Sequence, residues 1–185
     1  MKLPYKPDLL RYPIGRYEPP SPIDETHLKE WIDQIRKFPF RLYDLTAEMS
    51  EEQYHWCYRP GGWSIHELIH HCADSHMNAF LRLKWALFEN NPTIKPYEEA
   101  AWVKSSDVTK TKPAVSILLL DGLHERWVNL LESLSEEDLK KGYFHPESQA
   151  FVQLDVYIGN YAWHCEHHYR HMLLALDHEG KYNKL

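Results

Sequence analysis

The segment Tyr161–His171 reads YAWHCEHHYRH and contains four of the chain's 13 histidines. His164 and His168 are four residues apart, as are His167 and His171. Side chains four residues apart lie on the same face of a helix. Two imidazoles placed in this way can bind one transition-metal ion, and a third ligand from elsewhere would complete a facial site.

This segment belongs to the last of four long amphipathic patterns. Apolar residues recur at helical spacing over about residues 28–45, 65–87, 115–134 and 154–178. Ser21-Pro22, Ser64 and Pro113 have the composition of helix starts, and Gly180 that of a stop. Residues 92–112 form a long polar crossover connection, so the sequence predicts an all-α four-helix bundle.

The first 22 residues differ in composition from the rest. They contain six of the 12 prolines, with tyrosines between them, and this composition predicts an extended, non-helical arm. We therefore expect an N-terminal arm over residues 1–22 and a four-helix metal-binding domain over residues 23–180. The aromatic residues of the arm predict that it packs over the domain or over a partner.

Composition excludes several classes of function. The net charge of −6 comes without a basic stripe, so nucleic acid is not an expected partner. The longest aliphatic run, Val115–Leu120, is far too short to span a membrane. The first residues lack the apolar region of a secretion signal, and the three cysteines form no CxxC pair. We expect a cytoplasmic protein with reduced thiols.

A helical wheel separates the two histidine pairs of the fourth helix. His168 falls within its apolar cluster and His164 at the edge of that cluster, whereas His167 and His171 lie outside it. The 164/168 pair is therefore preferred for metal binding. His167 and His171 are interpreted as supporting or surface residues.

The second helix offers a competing metal motif. His66-Glu67-Leu-Ile-His70 fits HExxH, in which the two histidines would bind zinc and Glu67 would activate water. However, both histidines lie away from the apolar face, and Glu67 is the third position of a capping box that begins at Ser64. His76 lies on the apolar face and is interpreted as a hydrogen-bonded core residue. Periodicity alone does not select His71.

Residues Arg59–Asn78 resemble the second-helix motif of the DinB-like superfamily and are closest to its YfiT branch of metal-dependent hydrolases. In that motif a ligand histidine follows a Trp by eight residues, which implies His71 after Trp63. The family's His-x3-His pattern implies His164 and His168. The resemblance extends over about residues 10–175 and includes three further segments, Ile94–Trp102, Tyr143–Pro146 and Tyr161–His168.

The resemblance implies a divalent zinc or nickel ion held by His71, His164 and His168, in a protein that forms a homodimer. An open coordination position could lower the pKa of a bound water to about 7 and so direct it against a small-molecule substrate. This is the hydrolase hypothesis. The alternatives are a thiol S-transferase that activates a low-molecular-weight thiol of the bacillithiol type, and a non-catalytic metal-binding bundle.

The sequence identifies no clear general base. The acidic and imidazole groups near the ligands in sequence are Glu67, Asp74, Glu166 and His167. Cys72 and Cys165 adjoin two ligands but face the core on the wheel, so we interpret them as packing residues. The aromatic residues of the connections, which could form walls of the pocket, are Tyr97, Trp102 and Tyr143.

Overall fold

A computed structural model describes residues 7–183 and shows a bundle of four long helices. These are α2 (Glu25–Thr46), α3 (Ile65–Phe88), α6 (Pro113–Glu132) and α8 (Leu154–Asp177). Each packs against two of the others, in the ring α2, α6, α3, α8. The predicted all-α four-helix bundle is confirmed, and α3 lies beside α8 within it.

Short elements precede and connect the long helices. They are α1 (Pro7–Arg11), a 3-10 turn (Gln53–His55), α4 (Glu99–Trp102), α5 (Ser106–Lys110) and α7 (Glu136–Lys140). The predicted connection over residues 92–112 thus contains two short helices. An antiparallel hairpin of β1 (Gly142–His145) and β2 (Ala150–Gln153) precedes α8. The sequence did not predict this hairpin, because four-residue strands are too short to show a clear alternation.

The helix starts were predicted with mixed success. Ser64 caps α3 and Ser135 caps α7, each through a complete capping box. The predicted start at Ser21 is wrong, because α2 begins at Glu25 with Asp24 as its cap. The Asp24 carboxylate accepts a hydrogen bond of 3.0 Å from the backbone N–H of His27, and this bond fixes the boundary.

The sequence predicts a fully extended N-terminal arm, and this prediction is wrong in part. Pro7 begins the one-turn helix α1, a position where its missing N–H costs nothing. Farther along, the arm packs over α8. The Trp163 Nε1–H donates to the Gly15 carbonyl at 3.2 Å, and the Tyr17 hydroxyl donates to the Val156 carbonyl at 3.3 Å. Residues 1–6 of the predicted arm lie outside the described residues.

Large aromatic side chains fill the centre of the bundle, among them the fully buried Trp127, Tyr157 and Phe38. Cys72 and Cys165 are also buried, which confirms the prediction that they are packing residues. Within residues 7–183, no helix has both the length and the apolar character needed to cross a membrane.

Candidate metal centre

The three predicted ligands come together between α3 and α8. One nitrogen from each of His71, His164 and His168 lies within 4.8 Å of the other two. The ring centroids of His164 and His168 are 4.4 Å apart, and those of His71 and His168 are 4.7 Å apart. The i, i+4 spacing on α8 places two rings side by side, and the neighbouring α3 supplies the third.

The loop before α3 holds His71 in place. Gly61 has φ +60 and so adopts a left-handed turn that favours glycine. After this turn, the Trp63 ring lies 4.5 Å from the His71 ring. The capping box of Ser64 and Glu67 fixes the start of α3 just after Trp63. This arrangement explains how a tryptophan eight residues earlier supports the histidine.

Burial keeps the three imidazoles neutral. It lowers the pKa of His71 to about 4, with a smaller contribution from His167. Burial, followed by the neighbouring imidazoles, holds the pKa values of His164 and His168 well below their ordinary value. Neutral imidazoles have a free lone pair, which is the form that binds a metal.

These residues fit a divalent transition-metal ion. Imidazole is a ligand that zinc and nickel accept, and the three rings come from two helices that are held together by packing. Two nitrogens bound to one ion at about 2.1 Å lie at most about 4.2 Å apart. Nitrogens within 4.8 Å of one another therefore need only small side-chain rotations to bind one ion.

The three histidines open onto a cavity of about 350 Å³. Its wall includes aromatic rings and two arginines, Arg11 and Arg59. Glu99, the first residue of α4, is the one carboxylate among the lining residues that the structure describes. Burial raises the pKa of Glu99, although the side chain remains exposed enough to reach solvent. Sequence reasoning missed Glu99, although it lies in the Ile94–Trp102 segment.

A second histidine cluster adjoins the first. His167, His168 and His171 also place nitrogens within 4.8 Å of one another. Of the two interpretations of His167 and His171, as supporting or as surface residues, the surface interpretation is wrong, because they are 7% and 2% exposed. A helical wheel takes into account only the face of α8 that packs in the bundle, whereas the N-terminal arm covers the face that holds His167 and His171. The His171 Nε2–H donates to the Arg11 carbonyl at 3.1 Å.

The HExxH alternative loses its support in the structure. The His66 Nε2–H donates to the Val108 carbonyl at 2.7 Å, and the His70 Nε2–H donates to the Thr111 carbonyl at 3.1 Å. The Ser116 hydroxyl lies 2.8 Å from the other nitrogen of His70. Glu67 is bound to Ser64. The two histidines therefore attach the start of α3 to residues that follow α4, and Glu67 caps the helix.

The other candidate groups take structural positions. Glu166 forms ion pairs with Arg41 at 2.7 Å and Arg170 at 2.6 Å, so its carboxylate is already bound. The pKa of Asp74 is raised to about 6 by burial and then by Asp107, but Asp74 does not line the cavity described above. Tyr97, Trp102 and Tyr143 are also absent from its lining residues. Tyr97 and Trp102 instead pack on each other, with ring centroids 4.4 Å apart.

The family model described as the DinB superfamily matches residues 34–172. Relatives from Bacillus cereus (strain G9842) and Bacillus thuringiensis subsp. konkukian, both named "Putative metal-dependent hydrolase", are 46% and 45% identical. Each alignment covers 88% of this chain and 93% of the relative.

A solved structure also matches, with a TM-score of 0.89 and 37% identity over 93% of this chain and 98% of the other. It is YfiT from Bacillus subtilis, described as a probable metal-dependent hydrolase with an unusual four-helix bundle topology.

Proposed function

The chain belongs to the DinB superfamily, and on this basis we propose that it is a metal-dependent hydrolase of a small-molecule substrate. His71, His164 and His168 would hold one divalent cation, either zinc or nickel. The observation that carries the proposal is the convergence of three neutral imidazoles at a cavity of about 350 Å³. The names of the relatives support the same reaction class.

Three neutral ligands leave the cation its full charge, and when bound it would supply Lewis-acid activation of an oxygen atom. The remaining chemistry belongs to the residues of the cavity wall. Glu99 would act as the general base, because its raised pKa brings the carboxylate closer to neutral pH, where proton transfer is most effective. The Trp63 ring, beside His71, would exclude water from one side of the reacting group.

Arg11 and Arg59 indicate the charge of the substrate. Both line the cavity, and guanidinium groups pair well with carboxylates. This favours an anionic small molecule. It also keeps a second function open, transfer to or from a low-molecular-weight thiol of the bacillithiol type, because such a thiol carries carboxylates. A cation held by the three histidines would favour the thiolate form of such a thiol.

Metal content tests the site directly. Elemental analysis of the purified protein is expected to find about one zinc or nickel ion per chain. Replacement of His71, His164 or His168 by Ala should remove the ion. His70→Ala is the matched control, because His70 is equally buried on α3 but bonds away from the cavity. Loss of the metal in His70→Ala, with retention in the other three variants, would contradict the proposal.

An assay separates the two reactions. Metal-loaded protein is incubated with a panel of anionic esters and amides, with and without an added low-molecular-weight thiol. Hydrolysis without the thiol supports the hydrolase. Product that requires the thiol and contains it supports the transferase. Metal binding without either product would leave a non-catalytic metal-binding bundle.

We also propose a cytoplasmic homodimer with an arm over residues 1–22 and a bundle over residues 23–180. The location is proposed because Cys57, Cys72 and Cys165 form no disulfide with one another, the arrangement expected in a reducing compartment. If the arm contributes to the dimer interface, deletion of residues 1–20 should lower the mass in solution to that of one chain. An unchanged mass would place the interface on the bundle.

A further inference from the structure

A row of imidazoles runs from the half-buried His164 of the proposed metal centre into the core. His164 Nδ1 lies 3.1 Å from His76 Nε2, and His76 Nδ1 lies 2.8 Å from His124 Nε2. The row ends where His124 Nδ1 meets the Ile35 carbonyl at 2.7 Å. His76 and His124 are 0% and 2% exposed, so protein groups supply their hydrogen bonds.

The carbonyl at the end of the row determines which nitrogen of each imidazole ring carries the proton. The Ile35 carbonyl can only accept, so His124 must carry its proton on Nδ1, and its Nε2 is then an acceptor. His76 must in turn donate from Nδ1 to His124, which leaves His76 Nε2 as an acceptor. His164 must then donate from Nδ1 to His76. This pattern requires that each ring holds a single proton, and the burial of His76 and His124 favours that neutral form.

We propose that His76 and His124 are positioning residues for the metal centre, because they hold His164 in the tautomer whose Nε2 lone pair faces the metal position. This inference rests on the proposed metal site. The Ser75 hydroxyl is compatible with this tautomer, because its oxygen lies 3.4 Å from His164 Nε2 and can donate to a lone pair there when no metal is bound.

This arrangement extends a device that is general among metal-binding histidines. The ring nitrogen that does not bind the metal usually donates to a carboxylate or carbonyl, which fixes the ring and raises its basicity. Here the carbonyl acts through two intervening imidazoles. Phe38 packs on both of them, with ring centroids 5.3 Å from His76 and 5.8 Å from His124. The two intervening rings are therefore held in orientation as well as in protonation.

A shorter row serves His168 in the same way. The Arg11 carbonyl accepts from His171 Nε2 at 3.1 Å, which leaves His171 Nδ1 as an acceptor. His168 Nδ1 lies 3.4 Å from that nitrogen and can donate to it, so its Nε2 is free for the metal. In this assignment both ring nitrogens of His171 are engaged in hydrogen bonds, which disfavours a second metal ion at His167, His168 and His171.

The first test uses metal-free protein with ¹⁵N-labelled histidine. Long-range ¹H–¹⁵N spectra report which nitrogen of each ring carries the proton. We expect protonated Nδ1 in His124, His76, His164 and His168, and protonated Nε2 in His171. A proton on Nε2 of His164 or His76 would overturn the proposal. Because no metal is present, this result does not depend on the proposed function.

The second test measures metal affinity by competition with a chelator. His124→Phe removes the acceptor for His76 and should weaken zinc binding about 10- to 100-fold. His124→Gln places an amide oxygen near the position of Nε2 and should recover much of that loss. His70→Phe, which removes an equally buried imidazole outside the row, should leave the affinity unchanged.

Three results distinguish the possible failures. Equal affinity in His124→Phe and wild type would overturn the positioning role. Equal weakening in His124→Phe and His70→Phe would attribute the effect to general loss of packing and would also overturn it. Wild-type protein that binds no zinc or nickel would contradict the proposed function, while the tautomers measured without metal would still decide whether the row exists.

Discussion

Glu99 is the residue to which the proposed function assigns proton transfer. As the carboxylate on the cavity wall with a raised pKa, it is expected to remove a proton from the attacking group. Glu99→Gln should lower kcat by about 10²- to 10⁴-fold and leave the metal content unchanged. Glu98→Gln is the control, because this exposed neighbour does not line the cavity. Full activity in Glu99→Gln would assign the base to another group.

At the residue scale, the sequence could select the candidate ligands but not their surroundings. His164 and His168 could be chosen from the wheel because both lie on one helix. His71 lies on a different helix, so its selection required the family motif rather than periodicity. Glu99 could not be found from periodicity either, because it follows an irregular connection whose path depends on tertiary packing.

The sequence also could not predict which histidines are buried by distant parts of the chain. His171 lies outside the apolar face of α8, yet its Nε2 bonds to the Arg11 carbonyl. His76 was correctly interpreted as a hydrogen-bonded core histidine. Its partner His124 lies on α6, 48 residues away, and no local pattern predicts that pairing.

At the scale of the element, the packing of α8 against α2 and the arm depends on one glycine. A Cβ added at Gly159 would lie 2.2 Å from the Tyr17 hydroxyl and 2.8 Å from the Trp31 ring. Gly159→Ala should therefore displace the Tyr17 and Trp31 side chains at a cost of about 1–3 kcal/mol, offset in part by up to about 1 kcal/mol of helix propensity, and urea denaturation measures the net loss.

Gly122 provides the matched control on α6. A Cβ at this position would meet nothing within 4 Å, so Gly122→Ala should stabilise the protein by up to about 1 kcal/mol through helix propensity. Equal effects of the two substitutions would contradict the close approach at Gly159.

The long helices were predictable because each one repeats its apolar pattern over several turns. The errors fall where a single local contact decides the structure. Asp24 rather than Ser21 caps α2, and the short run after Pro7 forms one helical turn. The β1–β2 hairpin depends on pairing such as Tyr143 with Val152, which composition alone does not specify.

At the scale of the whole molecule, the buried histidines predict sensitivity to acid. Burial is the main cause that lowers the pKa values of His71, His124 and His167 to about 4, from an ordinary value of 6.5. Between these two values the unfolded chain binds more protons than the native protein. The stabilising contribution is therefore complete above pH 6.5 and is lost progressively as the pH falls towards 4.

Urea denaturation of the metal-free protein at pH 7.5, 6 and 5 measures this effect. A chelator keeps metal release from contributing to the result. We expect the free energy of unfolding to fall at each step below pH 6.5. His124→Phe, which removes one of the three groups, should show a shallower fall than wild type. A free energy that stays constant from pH 7.5 to 5 would contradict the burial of neutral imidazoles.

The central claim concerns the position of one ion among many histidines. Anomalous X-ray diffraction from crystals grown with nickel locates that ion without reference to activity. We predict one strong peak per chain, about 2.1 Å from one nitrogen of each of His71, His164 and His168. A peak within the His167, His168 and His171 cluster, a peak beside His66 and His70, or no peak between α3 and α8 would contradict it.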